Sequence, residues 1–140
     1  MKNWEYLENK SIADIAVKAK ADSFEKLLQA LLEAFFEISI GSKLKKGKAL
    51  PYKYEVLLEG EDEKEVIIFL FDELIFLKDV KGLLFPKGRF SKINKGVKAE
   101  LFGDKVEKFP QGVDIKALSL HGFKFQKKEG FYKVELVFDV

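Results

Sequence analysis

Residues 22–38 constrain the fold of this chain more than any other stretch. Lys26, Gln29, Glu33 and Glu37 recur at steps of three and four and form one solvent stripe of a helix. Phe24, Leu27, Leu28, Leu31, Leu32, Phe35 and Phe36 cover the rest of its circumference. Asp22-x-x-Glu25 reads as a capping box at its start, and Gly41 as its C-terminal cap. A helix apolar over so wide an arc draws its stability from packing, so it must lie against a sheet or another helix. A second capping box, Asp62-x-x-Glu65, opens a helix that runs to about residue 77. Its segment Val66-Ile67-Ile68-Phe69-Leu70-Phe71 is apolar nearly all round, which predicts burial on two sides. Glu65, Asp72 and Glu73 mark its one solvated edge, and Glu73 is also carried as a candidate functional carboxylate.

The rest of the chain supplies strands for these helices to cover. Trp4-Glu5-Tyr6-Leu7-Glu8 is a short strand candidate, and Asn9-Lys10 gives a turn. In the strand over 11–19, Ala13, Ile15 and Val17 share one face, and Ile12, Asp14 and Ala16 the other. After Pro51, Tyr52, Tyr54, Val56 and Leu58 alternate with Lys53, Glu55, Leu57 and Glu59. Leu83-Leu84-Phe85 ends at Pro86. Strands over 89–93 and 97–102 are joined by Asn94-Lys95-Gly96, which is hairpin chemistry. Residues 103–112 read as a polar loop. Alternation resumes over 115–125, with Ala117, Ser119, His121 and Phe123 on one face. In the closing strand over 131–140, Tyr132, Val134, Leu136, Phe138 and Val140 share a face, and Asp139 lies on the opposite one. The order β-β-α-β-α followed by several strands is α+β, a mostly antiparallel sheet architecture packed with two main helices, in a single domain over residues 1–140.

Composition narrows the chemistry. The absence of cysteine excludes disulfides, thiolate metal sites and cysteine nucleophiles, and fits a reducing compartment. No apolar run reaches the roughly eighteen residues of a membrane span, and Met1-Lys2-Asn3-Trp4-Glu5 is no signal peptide, so the expectation is a cytoplasmic protein without membrane attachment. Abundant Lys and Glu match thermophile composition. A net charge of +2 is low for a dedicated nucleic-acid binder. The loop 42–48 carries Lys43, Lys45, Lys46 and Lys48; its ordinary reading is a solvated charge run, and its sharper one an electrostatic contact for RNA phosphate.

His121 is the only histidine, so one chain cannot build a two-histidine zinc site. A hydrogen-bonded strand histidine is its ordinary role, and a proton carrier or RNA contact the functional one. A Ser-His-Asp triad would need Ser11 or Ser119, and neither lies in a nucleophile elbow. Gly41-Ser42-Lys43, the nearest approach to a phosphate loop, follows a helix instead of a strand. What remains is a pair of carboxylates. If the first and last strands meet, Asp14 and Asp139 offer hard oxygen ligands, and the carbonyl or carboxylate of Val140 a further one, for Ca²⁺, Mg²⁺ or Mn²⁺. Strand aspartates more commonly just face water.

Three segments together resemble the archease family. Ile12-Ala13-Asp14-Ile15 before the capped helix resembles its His-Thr-Ala-Asp-Ile element. Phe71-Asp72-Glu73-Leu74-Ile75-Phe76-Leu77 with Gly82-Leu83-Leu84-Phe85 is similar to its central helix and following strand. Val113-Asp114-Ile115-Lys116-Ala117-Leu118-Ser119-Leu120-His121, then 130–140, resembles its Lys-Ala-Val-Thr-Tyr-His strand and closing strand with a penultimate Asp. The resemblance implies an accessory protein, not an enzyme. Such proteins assist guanylylation and turnover of the tRNA-splicing RNA ligase, and some act as chaperones for a tRNA cytosine methyltransferase. It also implies a metal site, usually calcium, on Asp14 and Asp139 with the backbone of Val140. Ser11-Ile12 stands where the family has His-Thr, so an imidazole and a hydroxyl beside that site are missing.

Overall fold

The computed structural model describes residues 3–7 and 13–140. It holds β1 (Trp4–Tyr6), β2 (Asp14–Ala21), α1 (Phe24–Ile40), β3 (Tyr52–Glu59), α2 (Glu63–Asp79), β4 (Leu83–Ile93), β5 (Gly96–Lys105), a 3-10 turn (Val106–Lys108), β6 (Ala117–Lys128) and β7 (Phe131–Asp139). Two antiparallel sheets form, one in the order β1-β2-β7-β6 and the other β3-β5-β4. α1 packs on β2 of the first sheet and β4 of the second. α2 packs on β6 of the first and on β3, β4 and β5 of the second. The helices are thus the filling between two sheets, and the expected α+β class holds.

The two-residue period explains which side of each sheet meets the helices. Val17, Ala19 and Ala21 of β2 and Val134, Leu136 and Phe138 of β7 are buried and face inward. Phe138 sits at the centre, with ring centroids 5.0 Å from Phe71 of α2 and 6.5 Å from Phe35 of α1. The intervening residues of the same strands form the outer face.

Several local expectations need correction. α1 begins one residue later than the Asp22 box implies. Ser23 is its N-cap, accepting from the Lys26 N–H at 3.2 Å, while the Asp22 carboxylate pairs with the Lys26 ammonium. The second cap forms as read: Asp62 accepts from the Glu65 N–H at 3.0 Å, and Glu65 reaches back to the Glu61 N–H at 2.6 Å. α2 meets both sheets, as expected, yet its apolar surface is not covered all round: Phe69 and Phe76 remain 38% and 44% exposed. Pro86 does not end its strand. β4 runs through it, and the pairing with β5 shifts between Leu84 and Lys87, a bulge being where a strand tolerates proline. The expected polar loop after residue 102 instead continues β5 to Lys105. At the far end of that connection, Gly112 lies against the C-terminus of α1 and donates to Ser39 O at 2.9 Å, beside Val113, which donates to Ile38 O at 3.0 Å. A Cβ on Gly112 would fall onto Gly41 N and Ile38 O, so only glycine permits this approach. The turn at Asn9-Lys10 and the pair Ser11-Ile12 lie outside the described residues.

Candidate functional site

β2 and β7 are adjacent, and their register places Asp14 directly opposite Asp139. The Val140 N–H donates to Ala13 O at 3.0 Å. In an antiparallel ladder, hydrogen-bonded and non-hydrogen-bonded pairs alternate, so Ala13–Val140 being bonded makes Asp14–Asp139 a non-bonded pair. That is the closer kind, with Cα atoms about 4.5 Å apart and side chains on the same face. The face is the outer one, since Phe138 points into the core. Asp139 is exposed and Asp14 half-buried.

Small, uncharged residues neighbour the two carboxylates in the sheet. Ala117 of β6 stands opposite Asp139 on its other side, and the next row along the face holds Ala16, Val137 and Ser119. The Lys116 N–H donates to the Asp139 main-chain O at 2.8 Å, which fixes the third strand beside the pair. Among the described residues, no ammonium or guanidinium forms an ion pair with either carboxylate. Like charges directly opposite on neighbouring strands are destabilising, and a bound cation relieves that cost. Two carboxylates with a main-chain oxygen of Val140 make an all-oxygen donor set, which fits a hard cation that keeps several waters. No third acid or histidine joins them among the described residues, so water and main chain would complete the shell.

The other candidate residues lie elsewhere or carry other tasks. His121 sits where β6 loses its pairing with β7, between Ser119–Val137 and Lys124–Glu135. It is exposed, its N–H donates to Ser119 Oγ at 3.2 Å, and Gly122 next to it takes a φ of 85°. The bulge breaks the alternation that would have placed it in one row with Ala117 and Ser119. Glu73 accepts from the Tyr54 hydroxyl at 3.0 Å, tying α2 to β3; burial and this bond push the Tyr54 phenol up. Lys43, Lys45 and Lys46 are exposed. Lys48 differs from them. Its ammonium lies 2.5 Å from the Asp104 carboxylate and over the Phe109 ring at 4.9 Å. The hydrogen bond from Lys48 holds Asp104 below the usual carboxylate range, against the opposing effect of burial. Asp104 escapes the sequence reading because residues 103–112 look like a loop. The available signal is the alternation Val97, Ala99, Leu101, which runs on through Gly103. None of these residues adjoins the carboxylate pair in the sheet register.

Residues 4–140 match the family model described as "Archease protein family (MTH1598/TM1083)". Among curated proteins, the chain is 31% identical to "Protein archease" of Pyrococcus abyssi, over the full length of both. It is 25% identical to that of Pyrococcus furiosus, again over both full lengths. Two solved structures share the fold. The solution structure of Methanobacterium thermoautotrophicum protein 1598 superposes with a TM-score of 0.73 at 19% identity, covering all of both chains. The crystal structure of a Thermotoga maritima archease, described as a possible chaperone, gives 0.64 at 22% identity, covering 97% of this chain and all of that one. With the family model spanning nearly the whole sequence and a relative above 30% identity along its full length, the chain belongs to the archease family.

Proposed function

We propose that the protein is a non-catalytic accessory factor of tRNA splicing that activates an RNA ligase, acting through a divalent cation, calcium by preference, held by Asp14, Asp139 and the backbone of Val140. The observation that carries this reading is the register of β2 and β7, which pairs two carboxylates from opposite ends of the sequence at a non-bonded position. A protein folding for stability alone has no reason to oppose two aspartates on a face where threonine, valine or lysine would pack better. A bound divalent cation would supply a positive centre for phosphate oxygens. The chain's own part is to hold the two carboxylates in register, with the small side chains of Ala16 and Ala117 as their neighbours on that face. No activated nucleophile and no general base beyond the pair is visible among the described residues, which favours an accessory role over independent hydrolysis. No described helix is long and apolar enough to cross a membrane.

The test is ligation of tRNA halves by limiting ligase, with the protein and with Asp14→Ala and Asp139→Ala. Stimulation by the wild type that disappears in both folded variants is the expected result. Full stimulation by folded Asp139→Ala would remove the carboxylate mechanism. A second reading is a chaperone for a tRNA cytosine methyltransferase; the Thermotoga maritima relative is described as a possible chaperone, with no client named. Its test is the modification pattern of the methyltransferase with and without the protein. An unchanged pattern counts against it.

A further inference from the structure

The outer face of the β1-β2-β7-β6 sheet carries a second like-charge pair. Lys20 of β2 stands opposite Lys133 of β7. Counting down the ladder from the bonded Ala13–Val140 pair, this too is a non-bonded position, where side chains lie closest. The two like-charge pairs therefore share one face, six residues apart, or about 20 Å along the strands. Between them Lys18 stands opposite Glu135.

The lysine pair is not isolated. Gln126 and Lys128 of β6 lie opposite Lys133 and Phe131, and Lys124 lies opposite Glu135. Lys20, Lys124 and Lys128 are all exposed. Lys18 is held by Glu5 at 3.0 Å and Lys133 approaches Glu135 at 3.7 Å, so the lysine end keeps an excess of cations over its own acids. Phe131, half-buried, sits among them. The Lys20 ammonium lies 4.8 Å and the Lys128 ammonium 6.0 Å from its ring centre. The face thus offers exposed ammoniums in rows about 4.8 Å apart across strands, with an aromatic ring in their midst.

We infer that this outer sheet face is a docking track for single-stranded RNA. Its phosphates sit on Lys20, Lys124, Lys128 and Lys133, a base stacks on Phe131, and the strand is directed toward Asp14 and Asp139. A row of cations meets a polyanion, and an aromatic ring on an open antiparallel sheet gives a base its stacking surface. The choice of RNA among polyanions rests on the accessory role proposed above; the charge pattern does not.

The experiment is binding of a short labelled oligouridylate to the protein alone, followed by fluorescence anisotropy over a salt series, with no ligase and no added divalent cation. The wild type should bind at low salt and weaken steeply as salt rises. The triple variant Lys20→Gln, Lys124→Gln, Lys128→Gln should flatten the slope of log K against log salt by about 2, near 0.7 for each phosphate no longer neutralised. It should melt close to the wild type, since the Lys20–Lys133 repulsion and the ammonium contacts with Phe131 are lost together. Phe131→Leu should weaken binding about tenfold. The control Lys43→Gln, Lys45→Gln, Lys46→Gln should bind as the wild type does. Any of three results overturns the inference: no binding by the wild type at low salt, loss of binding in the loop variant with the sheet variant unaffected, or polyglutamate competing as well as RNA, which would mark an acidic protein partner. None of these would touch ligase stimulation, and absent stimulation would leave RNA binding as measured.

Discussion

The two outer sheet faces dispose of like charges differently. On the β3-β5-β4 sheet, Glu55 stands opposite Glu100, an acid pair in the same kind of cross-strand relation as Asp14 and Asp139. There the chain supplies its own cation. Lys53 lies 3.2 Å from Glu55 and 3.1 Å from Glu100, and Lys98 lies 4.0 Å from Glu55. The hydrogen bond to Glu100, followed by that to Glu55, raises the Lys53 ammonium, and the same bond lowers the Glu100 carboxyl. On the β1-β2-β7-β6 sheet, no described lysine pairs with Asp14 or Asp139, although Lys18 follows Asp14 on the same strand. One acid pair is closed by the fold, and the other has no counter-charge among the described residues. The lesson is that a carboxylate pair is informative through the absence of its counter-charge, not through its own presence.

The largest expected effect removes the scaffold on which both faces are hung. Phe138→Ala deletes a fully buried ring packed against Phe35 and Phe71 and should cost about 3–5 kcal/mol in denaturant unfolding. Next comes calcium itself. At a hundredfold excess over Kd it should stabilise the wild type by about 2.7 kcal/mol, and Asp14→Asn with Asp139→Asn should lose that response. A wild type whose melting is indifferent to calcium, magnesium and manganese would make the two faces equivalent. Smaller again is Asp14→Asn without metal. Relief of like-charge opposition should raise stability by about 0.2–1 kcal/mol, so a clear loss would mean that Asp14 has a structural partner. The smallest is Lys53→Met, which converts the closed pair into an open one. The lowered carboxyl of Glu100 contributes stability above its unfolded pKa, and this is lost as pH falls through the folded value. Lys53→Met should therefore melt below the wild type at neutral pH, and the gap should shrink as pH drops through and below the carboxylate range. A gap independent of pH would point to lost packing of the lysine stem.

How much of this is legible depends on the range of the interaction. Both helices, the second cap and the hairpin at Asn94-Lys95-Gly96 follow from local pattern, because periodicity and turn chemistry act over a few residues. Local pattern also misleads. Ser23 takes the cap from Asp22, and Pro86 sits in a bulge that only the pairing with β5 reveals. Phe69 and Phe76 stay exposed because the number of elements covering a helix is not written in its own sequence. Lys48 looks like its loop neighbours in the sequence, yet a partner 56 residues away holds it.

The sequence by itself determined that Asp14 and Asp139 each point away from the apolar face of its strand, because side chains alternate with period two whatever the strand's neighbour. It likewise determined that two apolar helices need sheets to cover. Only the tertiary structure decided that β7 lies between β2 and β6, and that the register sets Asp14 against Asp139 and Lys20 against Lys133. Strand order and register are fixed by fitting the inner faces of β2 and β7 to α1 and α2, with a slip of one residue turning every core side chain outward. That demand on the core is what brings residues 125 positions apart in the chain into one row on the opposite face.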